Sequence, residues 1–197
     1  VNLYHDAFSP DILIVTSKNK INFNNKFLNW PIKKQKLVKS FRFKINKKEF
    51  SSVIFLPYII ESDERYLNRL RILMNYLNIK NFKKFKIKNH PAKENSKKHN
   101  NLIFKIKNLN NDSLKFRNTN KINNTTVFLG QTTAIPLALE TGLSCYSIIL
   151  DQVFGVYNPN IWKGLRLFQV ERNIFKYSLV KKNSLIQIGN TFNKLTI

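Results

Sequence analysis

Apolar and polar residues follow two rhythms along this chain. Short runs rich in β-branched and aromatic residues predict strands at "DILIVT" (11–16), "KLVKSFRF" (36–43), "SVIFLPYI" (52–59), "FKKFKIK" (82–88), "NLIFKI" (101–106), "TTVFLG" (125–130) and "SCYSIIL" (144–150). Between them, "ESDERYLNRLRILMNYLN" sets Tyr66, Leu67, Leu70, Leu73, Met74 and Leu77 at spacings of three and four, the period of a helix with one buried face. Ser62 and Asp63 supply its start, and the helix dipole favours the acidic residues of its first turn. "TTAIPLALETG" predicts a second helix, with a threonine cap, Pro136 in the first turn where a missing N–H does no harm, and Gly142 to close it.

Strands alternating with helices imply a parallel sheet with covering helices, because parallel neighbours need a crossover between them. Residues 52–150 therefore predict a Rossmann-like α/β domain, which we extend to 197 on the weaker closing-strand patterns "RLFQVERN" and "SLIQIG". Residues 1–51 carry two strands and the loop "KNKINFNNKFLNWPIKKQ" with no good helix, and are expected to be the end of a preceding domain and its connector. The Asn-rich stretch 107–124 predicts a short helix and an exposed loop. The chain has 197 residues, enough for one good-sized core, and it opens on a valine without a charged leader, so a start inside a larger protein is expected.

Charge widens the choice of partners. With 34 basic and 11 acidic residues the formal charge is +23, which attracts phosphates, acidic polymers or an anionic membrane surface. Lysine is enriched together with Asn, Ile and Phe throughout, so compositional drift accounts for the charge as well as a selected partner does. A basic nucleic-acid-binding module would need a focused patch with stacking aromatics, whereas here Phe and Tyr fall mostly inside core-like runs, and no nucleic acid is expected. The single cysteine, Cys145, rules out an internal disulfide and a multi-cysteine zinc site, and its run "LSCYSIIL" reads as buried filler. No apolar run approaches the roughly 20 residues that span a bilayer, and a cytoplasmic location, with peripheral membrane contact as an option, is the expectation. No cluster of Asp and His suits Mg²⁺ or Zn²⁺, so no metal is expected.

Open α/β sheets bind ligands at the carboxyl ends of their strands, and two unusual features fall there. His90 follows the strand "FKIK", and Pro91 restrains it to an extended backbone at the strand tip, where an imidazole can donate to a phosphate or exchange a proton. In "VFLGQTTAIPLALETG" a strand ends at Gly130, and Gln131, Thr132 and Thr133 lead into a helix whose first amides and two hydroxyls suit an anion. Neither G-x-G-x-x-G nor G-x-x-x-x-G-K-[ST] occurs, which argues against a dinucleotide or Walker-type site. Lys88 and Arg42 are secondary candidates for the same anion, His99 is expected to be an exposed residue in the first turn of the next helix, and Trp30 and Trp162 read as packing residues.

"IKNHP", followed some forty residues later by "VFLGQTTAIPLALETG", resembles the HP motif and hydroxyl-pair motif of bacterial sialyltransferases, polysialyltransferases and related surface-polysaccharide glycosyltransferases of the GT-B architecture. The resemblance covers residues 36–150 and makes "SVIFLPYI" the first strand of the C-terminal, nucleotide-sugar-binding domain. It implies an inverting transfer of a sugar, sialic-acid-like in one version, from a nucleotide donor such as a CMP-linked one to a glycan acceptor, without a metal or other cofactor. It implies that His90 contacts the donor phosphate, that Thr132 and Thr133 bind phosphate or nucleotide, and that the general base lies in a preceding domain, so that this part alone is inactive. The acidic ribose-binding position of retaining GT-B relatives is occupied here by Leu137, and Glu140 is out of register for that role. A nucleotide-sugar epimerase or an inactive sugar-binding relative remains an alternative on the same fold.

Overall fold

A computed structural model describes residues 4–7, 9–39, 47–110, 123–150, 162, 164–182 and 184–186. Its centre is a six-stranded sheet of β3 (Val53–Phe55), β4 (Lys86–Lys88), β5 (Thr125–Leu129), β6 (Ser144–Ile148), β7 (Leu165–Glu171) and β8 (Ile174–Leu179). The spatial order is β4-β3-β5-β6-β8-β7; the first four are parallel, and β8 turns antiparallel on β6 with β7 antiparallel beside it. A separate parallel pair joins β1 (Leu13–Val15) to β2 (Gln35–Leu37) across α1 (Lys18–Leu28). The chain is thus an α/β protein with a mixed, mainly parallel sheet, compatible with a Rossmann-like fold.

Strand alternation divides the core. Ile54, Val127, Leu129, Tyr146 and Ile148 face α2 (Asp63–Leu77) and α3 (Lys97–Lys107), while Phe128 and Cys145 face α4 (Ala134–Glu140). Because both faces are covered, β5 is buried at all five positions, which is why "TTVFL" shows no polar alternation. The edge strand β4 reads "KIK" and keeps two lysines in water, a defence against edge-to-edge pairing. Helix α2 forms as its sequence predicts. Ser62 accepts from the Arg65 N–H at 3.4 Å, Asn78 ends the helix at φ 57°, and Tyr66, Leu70, Leu73, Met74 and Leu77 form the buried stripe.

Three expectations change. "NLIFKI" is not a strand but the second half of α3: Leu102 and Ile106, together with His99, make one buried helical face, and Phe104, which alternation would have turned inward, is exposed. A short apolar run cannot by itself tell the two periods apart. The N-terminal segment does hold a helix, α1, capped by Ser17, ended by Asn29 at φ 58°, and burying none of its residues fully. The hairpin partner of "RLFQVERN" is "NIFKYSLV", which forms β8; residues 184–186 of "SLIQIG" are not in a strand. Arg42 and most of 107–124 lie outside the described residues. Among the described residues no helix is long and apolar enough to cross a membrane.

Candidate functional site

The carboxyl ends of β4, β3 and β5 lie side by side, so the segments that follow them meet at one edge of the sheet. From β4 comes His90, half-buried, its N–H donating to Asn89 Oδ1 at 3.0 Å, and its Nδ1 accepting from the Ala92 N–H at 3.3 Å at the head of a turn over Pro91–Lys93. An accepting Nδ1 puts the proton of the neutral ring on Nε2, and that N–H has no partner among the described residues. From the segment after β3 comes Tyr58, whose ring meets the His90 ring edge-on at 5.1 Å and has Lys93 Nζ 4.4 Å from its own centroid. One imidazole, one phenol ring and one ammonium therefore gather on this flank.

On the other flank β5 ends at Gly130, whose φ of 94° is left-handed backbone that a side chain would strain, and where an added Cβ would touch Pro57 at 3.5 Å. Its carbonyl accepts from Ser147 Oγ at 2.7 Å, which fixes the turn to β6. Gln131 and Thr132 are half-buried and Thr133 is exposed. Thr132 fills the role expected of an anion in part: its Oγ1 accepts from the Ala134 N–H at 3.4 Å and its carbonyl from the Ile135 N–H at 3.1 Å. With Pro136 lacking an N–H, the helix start offers fewer free amides than its sequence suggests. Thr133 makes no side-chain capping bond, so its hydroxyl is the one presented outward.

The β3 loop separates these flanks, and a residue not foreseen as structural holds it. His99 is buried in the first turn of α3, with Nε2 2.9 Å from the Pro57 carbonyl and Nδ1 3.0 Å from Ser96 Oγ. The first contact requires a proton on Nε2, so Ser96 donates to Nδ1 in the neutral ring. The signal for this role was its spacing: His99, Leu102 and Ile106 share the inward face of α3. Lys88 lies along the sheet, its Nζ donating to the Glu49 carbonyl at 3.0 Å and standing 5.5 Å from the Phe55 ring centroid. Arg42, the other cation suggested for the anion, is not among the described residues.

Other singled-out residues prove structural. Trp30 is buried edge-on to His5 at 4.8 Å. Cys145 is buried with its thiol pushed up by desolvation, which makes it a poor nucleophile. Glu140 is buried, and its Oε1 accepts from the Leu185 and Ile186 N–H groups at 2.8 and 3.1 Å, a tether between α4 and the segment after β8. Among the described residues no group of three His, Cys, Asp or Glu could hold a metal ion.

The fold and this edge define an α/β protein with an imidazole and a Gly-hydroxyl turn on either side of one strand. Comparison with protein-family models, with curated proteins and with solved structures finds no match to the chain.

Proposed function

We propose that this chain is the donor-binding half of an inverting glycosyltransferase of the GT-B kind, which takes a sugar from a nucleotide carrier and delivers it to a surface glycan. One observation carries the reading: His90 and the Gly130–Thr133 turn follow parallel strands that flank β3, so both stand at the ligand-binding edge of the sheet. Two interstrand spacings, about 10 Å, separate their strands, a gap that side chains reaching in from each flank close around a phosphate. The His90 Nε2–H and the Thr133 hydroxyl are the donors for it, and Lys93 adds positive charge on the His90 side.

These donors do two things in such a transfer. They hold the nucleotide, and they stabilise the charge that grows on its phosphate as the glycosidic bond breaks. Neutral hydrogen-bond donors and a nearby ammonium supply that stabilisation without proton transfer by His90. Titration calorimetry with CMP, UDP and GDP tests the reading. We expect saturable binding of at least one nucleotide, weakened about tenfold or more by His90→Ala, the loss of one charge-assisted hydrogen bond. Binding of none of the three, or binding untouched by His90→Ala, contradicts it.

A further inference from the structure

Helix α1 turns its aromatic residues outward. Ile21, Asn24 and Leu28 form its half-buried side, and polar bonds hold that side to β2: Asn24 Nδ2 donates to Gln35 Oε1 at 3.2 Å, and Gln35 Nε2 donates to the Ile21 carbonyl at 3.2 Å. Phe23 is 41% exposed and Phe27 51%, with their rings 4.9 Å apart at a tilt of 42°. Spacings of three and four place Lys20, Phe23, Lys26 and Phe27 on one face, and Lys26 Nζ stands 5.2 Å from the Phe27 centroid. The amino end of α1 is seated against the chain that follows β8. There the Ser17 hydroxyl donates to the Ser184 carbonyl at 2.7 Å, and Gly164 leaves room for Asn19, whose Nδ2 would lie 2.6 Å from an added Cβ. Held at both places, α1 cannot roll to bury its phenylalanines.

The charge around this face says what covers it. From residue 12 to residue 39 the chain has seven lysines and no acidic residue. Just past the helix the turn Ile32–Lys34 repeats the combination, with an isoleucine 58% exposed beside the exposed Lys33. The matching partner is negatively charged at its surface and apolar beneath. An anionic lipid bilayer has that order: its phosphates meet the lysine heads, and its acyl chains receive the rings and the lysine stems. A nucleic acid strand would need flat ring faces on which bases stack, and two rings tilted against each other present no common platform. Beside Phe23 lies a cavity of about 160 Å³, lined also by Ser17, Asn19, Lys20 and Trp162. Its walls are mostly apolar, so a short run of acyl methylenes enters it at little polar cost.

We propose that α1 docks this chain on an anionic lipid bilayer, with Phe23 and Phe27 entering the acyl boundary and Lys20 and Lys26 remaining among the phosphates. The inference does not rest on the nucleotide reading, because none of these residues belongs to the His90 edge. Leu165 pairs with Leu179, and Tyr177 with Cys145, which puts the seat of α1 beside the first residues of β6, away from the carboxyl ends of the parallel strands.

Sedimentation of the full chain with vesicles of phosphatidylglycerol and phosphatidylcholine, compared with phosphatidylcholine alone, tests it. Binding to the anionic vesicles should be at least about tenfold stronger. Because the net charge of +23 alone attracts such vesicles, location is the deciding readout. Phe23→Gln with Phe27→Gln should weaken binding about tenfold at unchanged charge, with folding checked by the urea midpoint. Lys20→Gln with Lys26→Gln should weaken it about tenfold, and more than Lys83→Gln with Lys84→Gln, an exposed pair leading into β4 at the far edge of the sheet. On the unaltered chain, nitroxide-labelled lipid in anionic bicelles should broaden the amide signals of residues 20–27 before those of β4. Binding that the phenylalanine substitutions leave unchanged, equal losses from the two lysine pairs, or broadening centred away from α1 overturns the proposal. So does a poly(U) strand that binds with the same dependence on Phe23 and Phe27.

Discussion

Two histidines nine positions apart in sequence have opposite surroundings, and the difference decides what each can do. His99 has both ring nitrogens engaged inside the protein and locks the β3 loop to α3. His90 has one nitrogen engaged by its own turn and the other without a partner among the described residues. Sequence placed His90 correctly, because a proline after it restricts its backbone whatever the tertiary context. It misjudged His99 as exposed, because burial there depends on a carbonyl 42 residues away.

The buried pair Cys145 and Tyr146 also carries a pH signature. Burial, then the neighbouring Tyr76 and Cys145, push the Tyr146 phenol from 10.0 up to about 12, and burial raises the Cys145 thiol from 9.0. Both groups favour the protonated form when folded, so the unfolded chain releases its protons first as pH rises. Their contribution to stability is complete below pH 9 and is lost as pH climbs from 9 through 12. Urea midpoints should therefore fall steadily over that range, and Cys145→Ala should flatten its lower part. A midpoint that is unchanged between pH 8 and 11 would contradict the assignment.

Among the elements, α2 and β5 were legible because each is buried in the way its own pattern announces. Helices α1 and α3 were not. In α1 the rings of Phe23 and Phe27 meet at a tilt, 4.9 Å apart, on an exposed surface, so the i, i+4 pair stabilises the helix without an apolar stripe facing a core. β8 escaped notice because "NIFKYSLV" gains its identity from pairing with β6 and β7, with Asn173 at φ 67° making the turn between β7 and β8.

The tether from α4 is the element-level feature that no periodicity reveals. Glu140→Ala would leave the buried Leu185 N–H without its acceptor, and should cost about 2–4 kcal/mol in urea unfolding, as for the loss of two charge-assisted bonds. Glu140→Gln, which keeps an acceptor oxygen, should recover part of that loss. Equal effects of the two substitutions would show that bulk, not hydrogen bonding, holds residues 184–186.

At the scale of the whole molecule, the sheet sorts its chemistry by end. The carboxyl edge holds His90, Tyr58, Gly130 and Thr133, and the opposite corner holds the aromatic cavity beside Gly164. The alternation of strands and helices made the first of these legible, since position at a strand end follows from sequence order alone. The second depends on α1 meeting the chain after β8, a contact between residues 167 apart that no local pattern encodes. The excess of lysine adds a general attraction for anions but no direction, so it cannot by itself choose between the two ends.

The central claim is that His90 and the Thr133 turn serve one and the same anion. An NMR titration of the chain with CMP, following the His90 imidazole nitrogens and the Thr133 amide together, tests it most directly. The account predicts that both signals move along a single binding curve with one Kd, and that His90→Ala weakens the response at Thr133. Two different curves, or movement at one residue without the other, would contradict it.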